Sequence, residues 1–453
     1  MKKIIKLLPI LIIAISACGG NNNSNATHPI AYNGQDLSVA PTSQTPAVYS
    51  ETHYIYDFQG NNYLLACNSS GLSVGQLEIY KDISGSFSTT EKMTIGGGIG
   101  CSGVTAIIDN NNSVYNSVNS GVLHIFATED IPTADTYVTY WCWDGTWSTG
   151  GSLQGCGSSL SNTVGGGAPT AAIDTTNNTL LLAWQESFDD LGNPINMGLN
   201  FMDYPLANLQ ANPYDFTDWN APVSIDGGGT LQSYVGSSPI LKTNGAKIYI
   251  TARYLDLASG KKKIKLYHCV SACGQISQWS GADAIYSPIA EDVTESFGFE
   301  INPFTSKLTL VYQNDSTEQI VYKEWSPANP WTAGPEREGI GMAYAPINLR
   351  SAQISLAIET SGRKHIFWWE HGEHNATNTF KLHHRFSINS LWSGDMLISF
   401  TGSGMDDMPI NMQPSFDGNL SQHGDYGFRI GYSRLVTTTT QEFVVSIREP
   451  EYN

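Results

Sequence analysis

The chain has 453 residues, with 23 Lys and Arg against 41 Asp and Glu and a formal net charge of −18 at pH 7. That balance argues against nucleic acid or anionic lipid as a direct partner of the folded body. The length exceeds one ordinary hydrophobic core, so several domains or a repeat array is expected.

Lys2, Lys3 and Lys6 open the chain as a basic segment, and Leu7 to Ala17 form an apolar run too short to cross a bilayer as a helix. Ile15-Ser16-Ala17-Cys18 follows and resembles the lipobox of bacterial lipoproteins. The resemblance implies that residues 1–17 are a signal peptide and that Cys18 carries palmitate-type acyl chains. Gly19 is similar to the sorting residue of outer-membrane lipoproteins, so the expected location is the outer membrane. Residues 18–46 read as the lipidated N-terminus and a polar tether, and 47–453 as the folded body.

With Cys18 lipidated, Cys67, Cys101, Cys142, Cys156, Cys269 and Cys273 remain, an even number that suits an oxidising compartment. Nearness along the chain favours pairing 67 with 101, 142 with 156, and 269 with 273. No C-x2-C pair supports a structural zinc site. The acidic character is uneven: between residues 19 and 241 the only basic residues are Lys81 and Lys92, against nineteen Asp and Glu.

Three ordered columns repeat along the body. An aromatic followed by a small polar residue recurs at Phe87-Ser88, Trp147-Ser148, Trp219-Asn220, Trp279-Ser280, Trp331-Thr332 and Trp392-Ser393, at intervals of 60, 72, 60, 52 and 61 residues. Upstream of each lies a second column: Tyr80, Tyr140, Phe201, Tyr267, Tyr322 and His383. A third lies upstream again, in NYLLAC, LHIFAT, LLLAWQE, IYITAR, LTLVYQ and HIFWWE. Each period holds short runs rich in Val, Ile, Leu, Thr and aromatics, separated by Gly, Asn, Asp and Pro, which read as strands. Four fit per period, as in PTAAIDT, TLLLAWQE, MGLNFMD and APVSID. Radial repetition of four strands is the pattern of an all-β, single β-propeller. Six complete modules span residues 51 to 400, and a seventh second-strand copy, EFVVSIRE, follows near the C-terminus. Seven blades therefore require closing strands from the N-terminal segment, around HPIAY and DLSVA; six do not.

HIFWWE, LHHRFS and LWSG together resemble the sialidase-like, BNR-type propeller superfamily, and Gly424-Asp425-Tyr426-Gly427 resembles a segment near its last blade. The superfamily's Asp-box is nowhere intact, and WDGTW (143–147) keeps only a fragment. A sialidase would use three arginines against the substrate carboxylate, one of them early in an R-I-P motif. Here the first arginine is Arg253, and no R-I-P occurs. The resemblance thus implies architecture and leaves activity open.

Other glycosidases need only two carboxylates at defined separation. The segments joining second to third strands supply Glu129, Asp130, Glu186, Asp189, Asp190, Asp315, Glu370 and Glu373, an acidic candidate rim. His371 and His374 join them there, with N and O donors suited to a transition metal, although a solvated hairpin turn is the better reading of HGEH. His383 and His384 point to opposite strand faces and cannot readily share an ion. Hard-ion chemistry would make calcium the cation for the acidic rim; no cofactor is required by any motif. The glycine runs at 95–100, 164–169 and 225–230 follow fourth strands and read as turns between blades. The expected function is capture of a glycan or envelope protein by a monomeric, membrane-anchored propeller, with glycan cleavage as the alternative.

Overall fold

The computed structural model describes residues 31–39, 49–68, 76–83, 86–95, 100–113, 119–130, 136–146, 157–159, 166–186, 198–211, 219–226, 232–245, 247–279, 285–286, 292–317, 319–326, 337–338, 354–359, 362–370, 379–388, 391–393, 396–401, 413–416, 428–437 and 440–451. The architecture is all-β, and every sheet is antiparallel. Strand β1 (Ala31–Val39) belongs to the last sheet in space. The first sheet in chain order is β2 (Tyr49–Phe58), β3 (Asn61–Asn68), β4 (Gln76–Ile83) and β5 (Ser86–Ile95). The second is β6 (Gly100–Asp109), β7 (Val122–Asp130), β8 (Thr136–Trp143) and β9 (Gly157–Ser159). The third is β10 (Gly166–Asp174), β11 (Thr179–Glu186), β12 (Gly198–Pro205) and β13 (Val223–Asp226). The fourth is β14 (Gln232–Asn244), β15 (Lys247–Asp256), β16 (Lys261–Cys269) and β17 (Ile285–Tyr286). The fifth is β18 (Val293–Ile301), β19 (Leu308–Asn314), β20 (Ile320–Trp325) and β21 (Arg337–Glu338). The sixth is β22 (Ile354–Ile358), β23 (Lys364–Glu370), β24 (Thr379–Ile388) and β25 (Leu391–Trp392), with β26 (Met396–Thr401) also pairing β24. The last holds β27 (Gln413–Phe416), β28 (Phe428–Thr437) and β29 (Thr440–Glu451), with β1 on the far side of β29.

The N-terminal strand expected near HPIAY and DLSVA thus exists as β1, in register with β29 from Ala31 opposite Glu451 to Val39 opposite Phe443. The first strands of successive sheets pack on one another: β2 on β6, β6 on β10, β10 on β14, β14 on β18, β18 on β22, and β22 on β27. Strand β2 also packs against β27 and β28.

Up-and-down order places the first-to-second and third-to-fourth connections at one end of each sheet, here termed the turn end. The other end, the rim end, carries the second-to-third connections and the links between sheets. Turn ends of neighbouring sheets touch directly. Gln59 Nε2 donates to the Ser120 carbonyl at 2.6 Å, Asn112 Nδ2 to Asn178 Oδ1 at 3.0 Å, and Asn302 Nδ2 to the Gly362 carbonyl at 3.4 Å. Many of these turns are held by a short acid or amide. Asp109 Oδ1 accepts from the backbone N–H of Asn111 and Asn112, and Asp174 Oδ1 from those of Thr176 and Asn177; such caps compete with longer ladders and set the turn.

Alternation along each strand sends one set of side chains toward the preceding sheet and the other toward the following one, so the cores lie between sheets. Between the first two, Tyr63 meets Trp143 edge-on at 4.9 Å. Between the third and fourth, Phe201 packs with Trp279, whose indole N–H donates to the Cys273 carbonyl at 2.6 Å. The approach of β18 to β22 is so close that a Cβ on Gly298 would stand 2.8 Å from Leu356 Cβ and 2.9 Å from its backbone nitrogen. Only glycine lets those two strands meet there.

Register corrects one of the repeating columns. Tyr140, Phe201 and Tyr322 belong to cores shared with the following sheet, whereas Tyr267 packs toward the preceding one. In the sixth sheet His383 opposes Trp368, so the residue equivalent to Tyr140 is His384, opposite Phe367. A one-residue slip flips a side chain to the other face, and matching by residue type alone cannot detect it.

Candidate functional site

The described acidic candidates fall at the rim ends of their sheets, but on strand ends more than in loops. Glu129 and Asp130 are the last residues of β7, paired with Tyr137 and Thr136; Glu186 ends β11, opposite Gly198; Glu370 ends β23, opposite Lys381. Their backbones are part of the ladders, which extend further than the expected loops. Asp315 lies in the turn after β19 and is exposed, its N–H donating to the Asp292 carbonyl at 2.9 Å. The rim ends of the second, third and sixth sheets therefore each carry an acidic residue on a ladder backbone, and that of the fifth carries Asp315 in the adjoining turn. Asp189, Asp190, His371, Glu373 and His374 lie outside the described residues.

Asp256, absent from the expected set, ends β15 at the same rim position of the fourth sheet. Its carboxylate accepts from Lys263 Nζ at 2.5 Å and Ser259 Oγ at 2.7 Å. The Lys263 hydrogen bond, then that of Ser259, holds it down at about 2. Its position at the end of IYITARYLD, a second-strand copy, was the available signal.

First strands bring charges from different sheets together. Lys242 of β14 is ion-paired with Glu300 of β18, both partly exposed. His53 of β2 is held neutral, near 4, mainly by burial; a hydrogen bond to the Ala106 backbone opposes the shift and the charge of Lys242 adds to it. Its Nδ1 is buried without a hydrogen-bond partner.

Further polar groups are buried between sheets. Lys265 Nζ sits 2.6 Å from Asp226 Oδ2 of the third sheet, which also accepts from Tyr267 OH at 2.9 Å, while the ammonium lies 4.7 Å from the Tyr254 ring centre. At the turn ends, two relays occupy equivalent register positions. In the second sheet Asp109 Oδ2 lies 3.6 Å from His124 Nε2, and His124 Nδ1 is 2.8 Å from Tyr140 OH. In the sixth, Glu359 Oε1 lies 2.7 Å from His365 Nε2, and His365 Nδ1 is 3.0 Å from His384 Nε2. Both are buried, which fits ties between neighbouring strands of one sheet and denies a substrate access.

No three His, Cys, Asp or Glu side chains are grouped to hold a metal among the described residues. His383 stacks on Trp368 and His384 on Phe367, on opposite faces of β24. Trp368 is core, at 2 % exposure. The WDGTW fragment forms a tight turn, with Thr146 N–H donating to Asp144 Oδ1 and the Trp143 indole to the Thr146 carbonyl, both at 2.9 Å. Cys269 and Cys273 form a disulfide, and Cys67 and Cys142 are each disulfide-bonded as well.

No protein-family model matches this chain, and no curated protein does. Similar solved structures include the α-L-arabinanase of Penicillium chrysogenum complexed with arabinobiose, at 12 % identity and a TM-score of 0.47, covering 76 % of this chain and 94 % of that one. An α-L-arabinofuranosidase from Fusarium graminearum has 12 % identity and a TM-score of 0.46, covering 74 % and 92 %. A Trypanosoma rangeli sialidase mutant has 12 % identity and a TM-score of 0.41, covering 76 % and 58 %.

Proposed function

We propose that this chain is a closed seven-bladed propeller that cleaves a glycan at the cell envelope, tethered to the outer membrane through an acylated Cys18. Closure is supported by the pairing of β1 with β29 and by the packing of β27 and β28 on β2. The observation that carries the activity is the set of rim carboxylates at strand ends, Glu129, Asp130, Glu186 and Glu370, with Asp315 beside them. Glycoside cleavage needs one carboxyl group to protonate the leaving oxygen and a second to act as nucleophile or base, about 5 to 10 Å apart. Such groups must be held in place, and ladder positions hold them better than solvated loops do. Strand-end placement thus favours cleavage over the simple capture that a flexible acidic rim would suit.

Purified protein incubated with a panel of plant, fungal and bacterial polysaccharides is expected to release new reducing ends from one of them. Glu129→Gln, Glu186→Gln and Glu370→Gln should each be assayed, and the variant lacking the acid or base should lose about 100-fold or more in rate. If no polysaccharide yields reducing ends, yet one is retained on the protein in a calcium-dependent manner, hydrolysis is wrong and cation-bridged capture takes its place. For the anchor, a fatty-acid probe is expected to label the wild type and not Cys18→Ala; label on the variant would remove the lipoprotein assignment.

A further inference from the structure

The turn end, opposite the acidic rim, exposes large apolar side chains on two neighbouring sheets. Phe304, in the turn between β18 and β19, is 75 % exposed, and Val270 and Ile276, in the connection from β16 to β17, are each 49 % exposed. Leu257 is the other exposed large apolar residue among those described, and it lies at the rim end between β15 and β16. Lysines flank the turn-end residues. Ile248 opposes Cys269, which sets Lys247 beside Val270, and Lys307 closes the Phe304 turn through its carbonyl, which accepts from Asn302 N–H at 2.8 Å. Apolar tips beside lysine stems suit the boundary between headgroups and acyl chains.

The path of the chain points the same way. Strand β1 starts at Ala31 opposite Glu451, the last residue of the third strand in its sheet, so it too starts at a turn end. Cys18 lies thirteen residues upstream, a span of at most about 45 Å when extended. An anchor at Cys18 is therefore joined to the folded body at its turn end.

We infer that the turn end of the fourth and fifth sheets rests on the bilayer that holds the acylated Cys18, with Phe304, Val270 and Ile276 entering the headgroup boundary. This rests on the lipid anchor proposed above. The orientation directs the acidic rim away from the membrane, where a glycan can reach it. A net charge of −18 offers no attraction to anionic lipid, so apolar contact and the anchor carry the docking, which is insensitive to salt.

The acylated full-length protein, reconstituted on phosphatidylcholine and phosphatidylethanolamine vesicles, tests this with a nitroxide at Phe304→Cys or Leu257→Cys. The label at 304 is expected to lose its collisions with a water-soluble nickel chelate and gain collisions with oxygen, while the label at 257 keeps the behaviour it has without vesicles. A label at 304 that stays in water, a label at 257 that enters lipid, or shielding at 304 that appears without vesicles as protein concentration rises would each overturn the docking. Intact mass reads acylation independently. Protein carrying lipid on Cys18 with 304 still in water refutes the docking alone, whereas missing acyl mass refutes the anchor and the docking with it.

Discussion

Lys265→Met is expected to lower unfolding free energy by about 3 to 5 kcal/mol, read from urea midpoints at constant slope. The ammonium of Lys265 and the carboxylate of Asp226 are 7 % and 12 % exposed as side chains and 2.6 Å apart, and they join the fourth sheet to the third. Removing the cation leaves the Asp226 carboxylate, which also accepts from the Tyr267 hydroxyl, in a poorly hydrated site without its opposite charge, and the desolvation of that charge dominates the loss. Lys265→Met combined with Asp226→Asn should recover part of it, because both charges are then gone. A double variant as unstable as the sum of its parts would show that the pair does not interact as its geometry implies.

Acidification from pH 7.5 to 5 is expected to lower the melting temperature well before ordinary carboxylates titrate. Burial holds His53 down at about 4, and it also lowers His124, His365 and His384. For His384 the neighbouring His365 adds to the effect, whereas Asp109 and Glu359 partly oppose it at His124 and His365. A histidine whose folded value is depressed binds its proton more readily when unfolded. Its contribution is full above the ordinary value near 6.5 and is lost as pH falls from there toward the folded value. For His53 alone the shift corresponds to roughly 3 kcal/mol once pH reaches its folded value. Asp109 behaves differently. Burial pushes it up, but the nearby His124 ring and hydrogen bonds from Asn111 and Asn112 outweigh that and leave it lowered, so its contribution is lost only below the ordinary Asp range. His53→Asn should flatten the pH dependence between 6.5 and 5. A wild-type melting temperature constant across that interval would contradict neutral burial of these four rings.

The repeat was legible because every sheet solves the same local problem. Strand-forming runs such as TLLLAWQE and HIFWWE must alternate between two buried faces, and the links between them need Gly, Asn or Asp, so the period of about sixty residues is written in composition and spacing. The run EFVVSIRE, read as a second-strand copy, likewise announced a last sheet in search of partners, but it is the third strand of that sheet, β29, and FRIGYSRLV, in β28, is the second. The sequence also carried the local Cys269–Cys273 link and the separation of His383 from His384, because both follow from neighbouring positions on one strand or turn.

Tertiary structure decided what depends on partners far apart in the chain. Which face Tyr140 or His383 occupies turns on register, and a slip of one residue leaves composition unchanged while reversing the neighbour. Lys242 meets Glu300, and Lys265 meets Asp226, only because successive sheets pack side by side; nothing in the spacing of 58 or 39 residues marks those pairs. The acidic residues were visible, but their place at the ends of ladders was not, since the length of a strand is settled by the hydrogen bonds its neighbour offers and not by its own side chains alone.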